Sequence, residues 1–68
     1  MEISARNKIK GTITEVKIGS VMAKVALKIS DGTIINSMIT IDSVEDMNLK
    51  VGDEVFAIIK STEVMIGK

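Results

Sequence analysis

The sequence predicts an all-β fold, a five-stranded barrel with one short helix between the third and fourth strands, on three observations. Apolar and polar residues alternate with period two along most of the chain. Turn signals at Gly19-Ser20, Asp31-Gly32 and Val51-Gly52-Asp53 separate the alternating segments. Apolar residues are 46% of the 68, yet Phe56 is the single aromatic, so the apolar mass is Ile, Val, Met, Leu and Ala, which suits strands and interfaces.

The first strand is expected over Lys8 to Ile18, where Ile9 and Ile13 share one parity and Val16 and Ile18 the other. A bulge near Thr14-Glu15, or a bend at Gly11, accounts for that switch. Gly19-Ser20 turns the chain into the cleanest alternation, Val21 to Ile29, with Val21, Ala23, Val25, Leu27 and Ile29 on one face. Asp31-Gly32 supplies the positive φ of a tight hairpin and leads into Thr33 to Ile41. That third strand is apolar on both parities, so both its faces are expected to be covered. Asp42-Ser43-Val44-Glu45 has a capping residue with Glu three positions later, opening a helix of one or two turns before Leu49. Glu54 to Lys60 forms the fourth strand, again apolar on both sides, and Val64 to Ile66 a short fifth that pairs with another edge or another chain. This is the element order of an OB-type Greek-key barrel.

A chain this short supports one domain, 1–68, and a lone copy sits near the break-even point. About 100 kcal/mol of apolar burial faces about 100 kcal/mol of ordering entropy. With Cys 0 and His 0, neither disulfides nor thiolate or imidazole zinc sites can close the gap, which leaves association. Pro 0 leaves strand edges unprotected and favours a closed barrel or strand exchange between subunits.

The same composition removes several functions. A triad needing His or Cys is excluded. The carboxylates fall in turns, in the cap or singly along the chain, and Asp42, Glu45 and Asp46 lack the spacing of a calcium loop, so no catalytic residue or metal site is assigned and the chain is not read as an enzyme. Nine cations balance nine anions, so no global field gathers polyanions, and one Phe gives no stacking platform; nucleic acid is not an expected partner. The longest apolar run, Val55 to Ile59, is far short of a bilayer span, and no charged-then-apolar leader opens the chain. A soluble, cytoplasmic protein is expected. The glycines form neither a dinucleotide fingerprint nor a P-loop, so no organic cofactor is assigned.

Two segments combine a cation with small hydroxyl donors: Ser4-Ala5-Arg6-Asn7 before the first strand and Lys60-Ser61-Thr62 after the fourth. Together they supply what a small tetrahedral oxyanion requires: charge from Arg6 and Lys60, and hydroxyl and backbone N–H donors for its oxygens. Thr40 and Ser43 add a further hydroxyl pair where the third strand enters the helix, with helix capping as their alternative role.

Those paired end motifs, with Lys10-Gly11, Lys17 to Gly19, Ala23 to Ile29, Thr40 to Val44 and Ser61 to Ile66, resemble the molbindins, a family of small cytoplasmic molybdate-binding proteins on the OB-like Mop, or TOBE, fold. The resemblance covers the whole chain. It implies intracellular molybdenum storage in a homohexamer, a trimer of dimers with strands shared between subunits and the oxyanions, molybdate and also tungstate, held between them. It further implies Ser4, the Ala5 backbone and Arg6 from one subunit with Lys60 and Ser61 from a neighbour. Thr40 and Ser43 match hydroxyl ligands of related molybdate-sensing domains, and Gly19 and Ser20 a second oxyanion site near the threefold axis. There Ile18 replaces an expected basic residue and Ser20 an apolar one. The alternative function is an oligomerising or sensory TOBE-like module that acts through a protein partner.

Overall fold

A computed structural model of the chain describes residue 4 and residues 6–68. Its elements are β1 (Asn7–Ile18), β2 (Met22–Ile29), β3 (Ile34–Thr40), α1 (Ile41–Asp46), β4 (Glu54–Ile59) and a single 3₁₀ turn at Ser61–Glu63. The four strands form one antiparallel sheet in the order β3-β2-β1-β4.

The sheet curls because β1 serves two partners at different heights. Its first half, Asn7 to Thr12, pairs with β4, and its second, Gly11 to Ile18, with β2. The register slips between Ile13 and Glu15, which is the bulge expected from the sequence and moves the inward parity from Ile13 to Val16. Gly11 has a different task from the bend considered for it. A Cβ there would stand 2.8 Å from Leu27 Cδ1 and 3.0 Å from the Lys28 carbonyl, so the bare backbone lets β1 and β2 close over the core.

Ile13, Ala23, Val25 and Val44 are the buried centre, with Val16, Ile39, Ile41, Leu49 and Val55 packed on it. Val44 is the one buried residue of α1, which plugs the end of the curled sheet. The helix is held by Thr40 rather than by Asp42. Thr40 ends β3 in an extended conformation (φ −71°, ψ 152°) and its hydroxyl accepts from the Ser43 N–H at 3.1 Å, which leaves Asp42 in the first turn as a partner of the helix dipole. Removing that cap by Thr40→Ala is expected to cost about 1 kcal/mol. For a domain of this size that is a drop of roughly 4–8 °C in melting temperature by calorimetry.

The hairpin between β2 and β3 is wider than a two-residue turn. Ile29 N–H donates to the Thr33 carbonyl, the Asp31 carboxylate accepts from the Thr33 N–H at 2.8 Å, and Gly32 takes φ +91°. Hydrogen bonding from Thr33, by its side chain first and its N–H second, holds the Asp31 carboxyl below its ordinary pKa, and Lys24, which donates to Glu15 at 2.9 Å, does the same for Glu15. Both contributions to stability are complete above the ordinary carboxylate range and are lost as pH falls through the lowered values. Stability measured by denaturant titration is therefore expected to be level through neutrality and to decline only in acid.

Within one chain two expectations are met only in part. The described residues form four strands, and after the 3₁₀ turn the chain is extended at Val64 (φ −91°, ψ 123°) with no strand of the same chain opposite 64–66, so the pairing expected for Val64 to Ile66 is not made within the chain. Nor are both faces of β3 and β4 covered. Ile34, Met38, Phe56 and Ile58 are exposed, because a single sheet with one six-residue helix supplies no layer for its outward face.

Candidate functional site

The antiparallel register of β1 and β4 fixes the first group. Asn7 pairs with Ile59, so Arg6 and Lys60 are the next residues outward on neighbouring strands of the same chain, with Ser61 one step beyond. The Asn7 side chain donates to the Ile59 carbonyl at 3.1 Å and latches this corner. Lys60 is extended (φ −67°, ψ 139°) and caps the 3₁₀ turn without using its side chain, while its carbonyl accepts from Glu63 N–H at 2.9 Å. Ser4, Arg6, Lys60 and Ser61 are all exposed; Ala5 lies outside the described residues.

The described ion pairs join Lys10 to Glu54, Lys24 to Glu15 and Lys50 to Asp53. Neither Arg6 nor Lys60 takes part in one among the described residues, and the β1–β4 pairing puts both at one corner of the sheet. Such a corner can take an anion with charge-assisted hydrogen bonds.

The second group lies where β3 enters α1. Thr40 Oγ1 donates to Ser43 Oγ at 2.9 Å while accepting from the Ser43 N–H, so the helix cap and a coupled hydroxyl pair are one arrangement, and the capping role considered for these residues is the one the fold displays. Thr40 is exposed and Ser43 half-buried. No hydrogen bond among the described residues joins this pair to Arg6, Lys60 or Ser61. Gly19 and Ser20 are on the exposed β1–β2 turn, closed by Gly19 N–H donating to the Met22 carbonyl at 2.9 Å. Ile41 N–H donates to the Val21 carbonyl, which ties that turn to the start of α1.

Asn7 is the residue of this corner that sequence reasoning passed over. It stood inside a quoted motif with no role, and its signal was its place as the polar residue at the start of a strand whose partner ends in Lys60. Asn7→Ala is expected to loosen the corner by about 0.5–1.5 kcal/mol, the value of one such hydrogen bond, measured as a fall in melting temperature.

Three comparisons bear on this arrangement. The TOBE domain family model matches residues 3–66. "Molybdenum-pterin-binding protein 3" of Clostridium pasteurianum is 52% identical over 66 residues, 97% of each chain. A molybdate-binding protein from Sporomusa ovata superposes with a TM-score of 0.94 at 46% identity over the full length of both chains. The cytoplasmic molybdate-binding protein ModG, in a molybdate-bound form, superposes at 0.90 with 38% identity, covering 96% of this chain and 46% of that one. With a curled OB-like sheet, a family match over residues 3–66 and a relative matched at 52% identity over 97% of each chain, the chain belongs to the TOBE domain family and, within it, to the molybdenum-pterin-binding (Mop) proteins.

Proposed function

We propose that this chain is a single-domain cytoplasmic molybdate-binding protein that stores or buffers the ion without chemical change, tungstate being a second accepted oxyanion. The observation that supports the reading is the β1–β4 register, which brings the strand ends leading into Arg6 and Lys60 to one edge of the sheet, neither cation being in an ion pair among the described residues. The molybdate-bound relative and its description as cytoplasmic support it. In this reading Ser4, the Ala5 backbone, Arg6, Lys60 and Ser61 hold the dianion, Thr40 and Ser43 add hydroxyl donors, and Gly19 with Ser20 serves a second site. The ion lies at contacts between copies in a hexameric trimer of dimers that share strands. Burying a dianion there is tolerable because Arg6 and Lys60 compensate its charge. No organic cofactor and no catalytic residue enter.

Calorimetry with molybdate in an excess of sulfate is the test. Molybdate heat that survives the competitor supports the reading, whereas no heat, or equal affinity for sulfate, removes it. Without His or Cys, no side chain of ordinary pKa titrates between about pH 6 and 8, so affinity is expected to be flat there, and a steep change in that window would assign binding to other groups.

A further inference from the structure

The ladder between β1 and β2 stops before β1 does. Its last pair is Gly11 with Ile29, after which the chain turns at Ser30, while β1 runs back to Asn7 against β4 alone. Over residues 7–10, β1 therefore has a bare edge on the β2 side. Ile13 uses both its N–H and its carbonyl on the β4 side, and in an antiparallel strand that direction alternates, so Thr12, Lys10 and Lys8 turn theirs toward β2. Thr12 meets Lys28 there; Lys10 and Lys8 meet no strand among the described residues.

An open depression of about 650 Å³ lies over this edge, lined by Lys8, Lys10, Thr12, Lys28, Ser30 and Glu54 among others. The chain is neutral as a whole, so three ammonium groups against one carboxylate make a local positive field. Lys10 shares that carboxylate, Glu54, at 3.2 Å, whereas Lys8 and Lys28 are in no ion pair among the described residues. Thr14, at the rim, donates its hydroxyl to the Ala26 carbonyl at 3.3 Å, which leaves those of Thr12 and Ser30 to a ligand.

We propose that this depression binds a linear polyphosphate, at a site separate from the Arg6–Lys60 corner. Spacing selects the class. Lys8 and Lys10 stand two residues apart on one strand, roughly 7 Å, and Lys28, opposite Thr12, extends the row to roughly 13 Å. A lone tetrahedral ion spans only part of that row, while successive phosphates along a chain present oxygens to each cation. The edge amides of Lys8 and Lys10 add fixed donors beside them. An acidic peptide strand fits less well, since only two residues of the bare edge turn their hydrogen-bonding groups outward. No aromatic side chain among the described residues lines the depression, so a nucleobase has nothing to stack on and the polyphosphate itself is the ligand.

Calorimetry on the full chain with tripolyphosphate, beside orthophosphate at matched ionic strength, tests this. Tripolyphosphate is expected to bind at least about ten-fold more tightly than orthophosphate, and Lys8→Gln with Lys28→Gln to lose about ten-fold, as for two exposed charged contacts. Glu54→Gln is expected to act in the opposite direction, a gain of about two-fold or more, because it takes the one carboxylate out of the lining. All three positions are exposed, so the core is untouched by these changes. ATP is expected to bind no more tightly than tripolyphosphate, and tighter binding of ATP would overturn the ligand class, as would an oligoglutamate peptide that matches tripolyphosphate. Equal affinities for tripolyphosphate and orthophosphate, or an unchanged affinity in the double lysine variant, would overturn the site itself. Displacement of tripolyphosphate by saturating molybdate, or a loss on Arg6→Ala exceeding that of the lysine variant, would place the polyphosphate at the corner and overturn a separate site.

Discussion

Alanine at Arg6 or at Lys60 is expected to weaken molybdate binding by about 2 to 5 kcal/mol, the usual cost of removing one partner of a desolvated charged contact. In calorimetry this is a loss of roughly thirty-fold to several thousand-fold. In the proposed site neither cation substitutes for the other. They leave adjacent strands side by side, and a doubly negative guest needs both charges once water is excluded. Losses from the two substitutions are therefore expected to couple, the double variant falling short of the sum, because the second removal acts on a site already vacated. Because ligand that binds only the assembled state stabilises it by mass action, saturating molybdate is also expected to raise the wild-type melting temperature and to leave both variants unmoved. Wild-type affinity retained in both would relocate the site.

Ile13→Ala carries the largest expected effect on the fold. Ile13 is 1% exposed and is the bulkiest side chain fully enclosed. It is the last inward residue before the bulge, and its backbone carbonyl accepts from the Gly52 N–H while its N–H donates to the Asp53 carbonyl. Truncation leaves a void among Ala23, Val25 and Val44 that β1, pinned on both edges, cannot close, at a cost of about 2–5 kcal/mol. A domain of this length has little margin above that. Denaturant titration is expected to show an unfolded or concentration-dependent chain, and a cooperative transition at the wild-type midpoint would mean the core lies elsewhere. Gly11→Ala acts on the same seam from the other side. Its new methyl would press on Leu27 and on fixed backbone at Lys28, an overpacking cost of about 1–3 kcal/mol.

Much of this was legible in the residues. Alternation gave β2 almost to the residue because its inward face is unmixed, Ala23, Val25 and Leu27 being buried. The slipped parity of Ile9, Ile13 and Val16 located the bulge, since one extra residue is the cheapest way to keep all three pointing inward. The helix was legible but its cap was not. Asp42 and Thr40 are both good capping residues, and only the end of β3 selects the earlier one. The coverage of β3 and β4 was misjudged for a different reason: two apolar parities report that both faces are eventually buried, without saying by what. In one chain the outward residues Met38 and Phe56 meet solvent. The candidate site divided similarly. Residue chemistry at the two ends pointed to an anion, but that Arg6 and Lys60 flank one corner of the sheet follows from strand pairing between positions about fifty residues apart, which no local pattern encodes.

The unpaired Thr14 makes β1 a strand of two phases, and one deleted residue would cancel the offset between them. A chain lacking Thr14 would read straight through, Ile13, Glu15 and Val16 staying opposite Leu27, Ala26 and Val25 with Val16 still facing the core, so what it would lose is the extra twist that the bulge adds. Thr14 thus serves curvature rather than the core, and its removal is expected to flatten this half of the sheet rather than to turn it inside out.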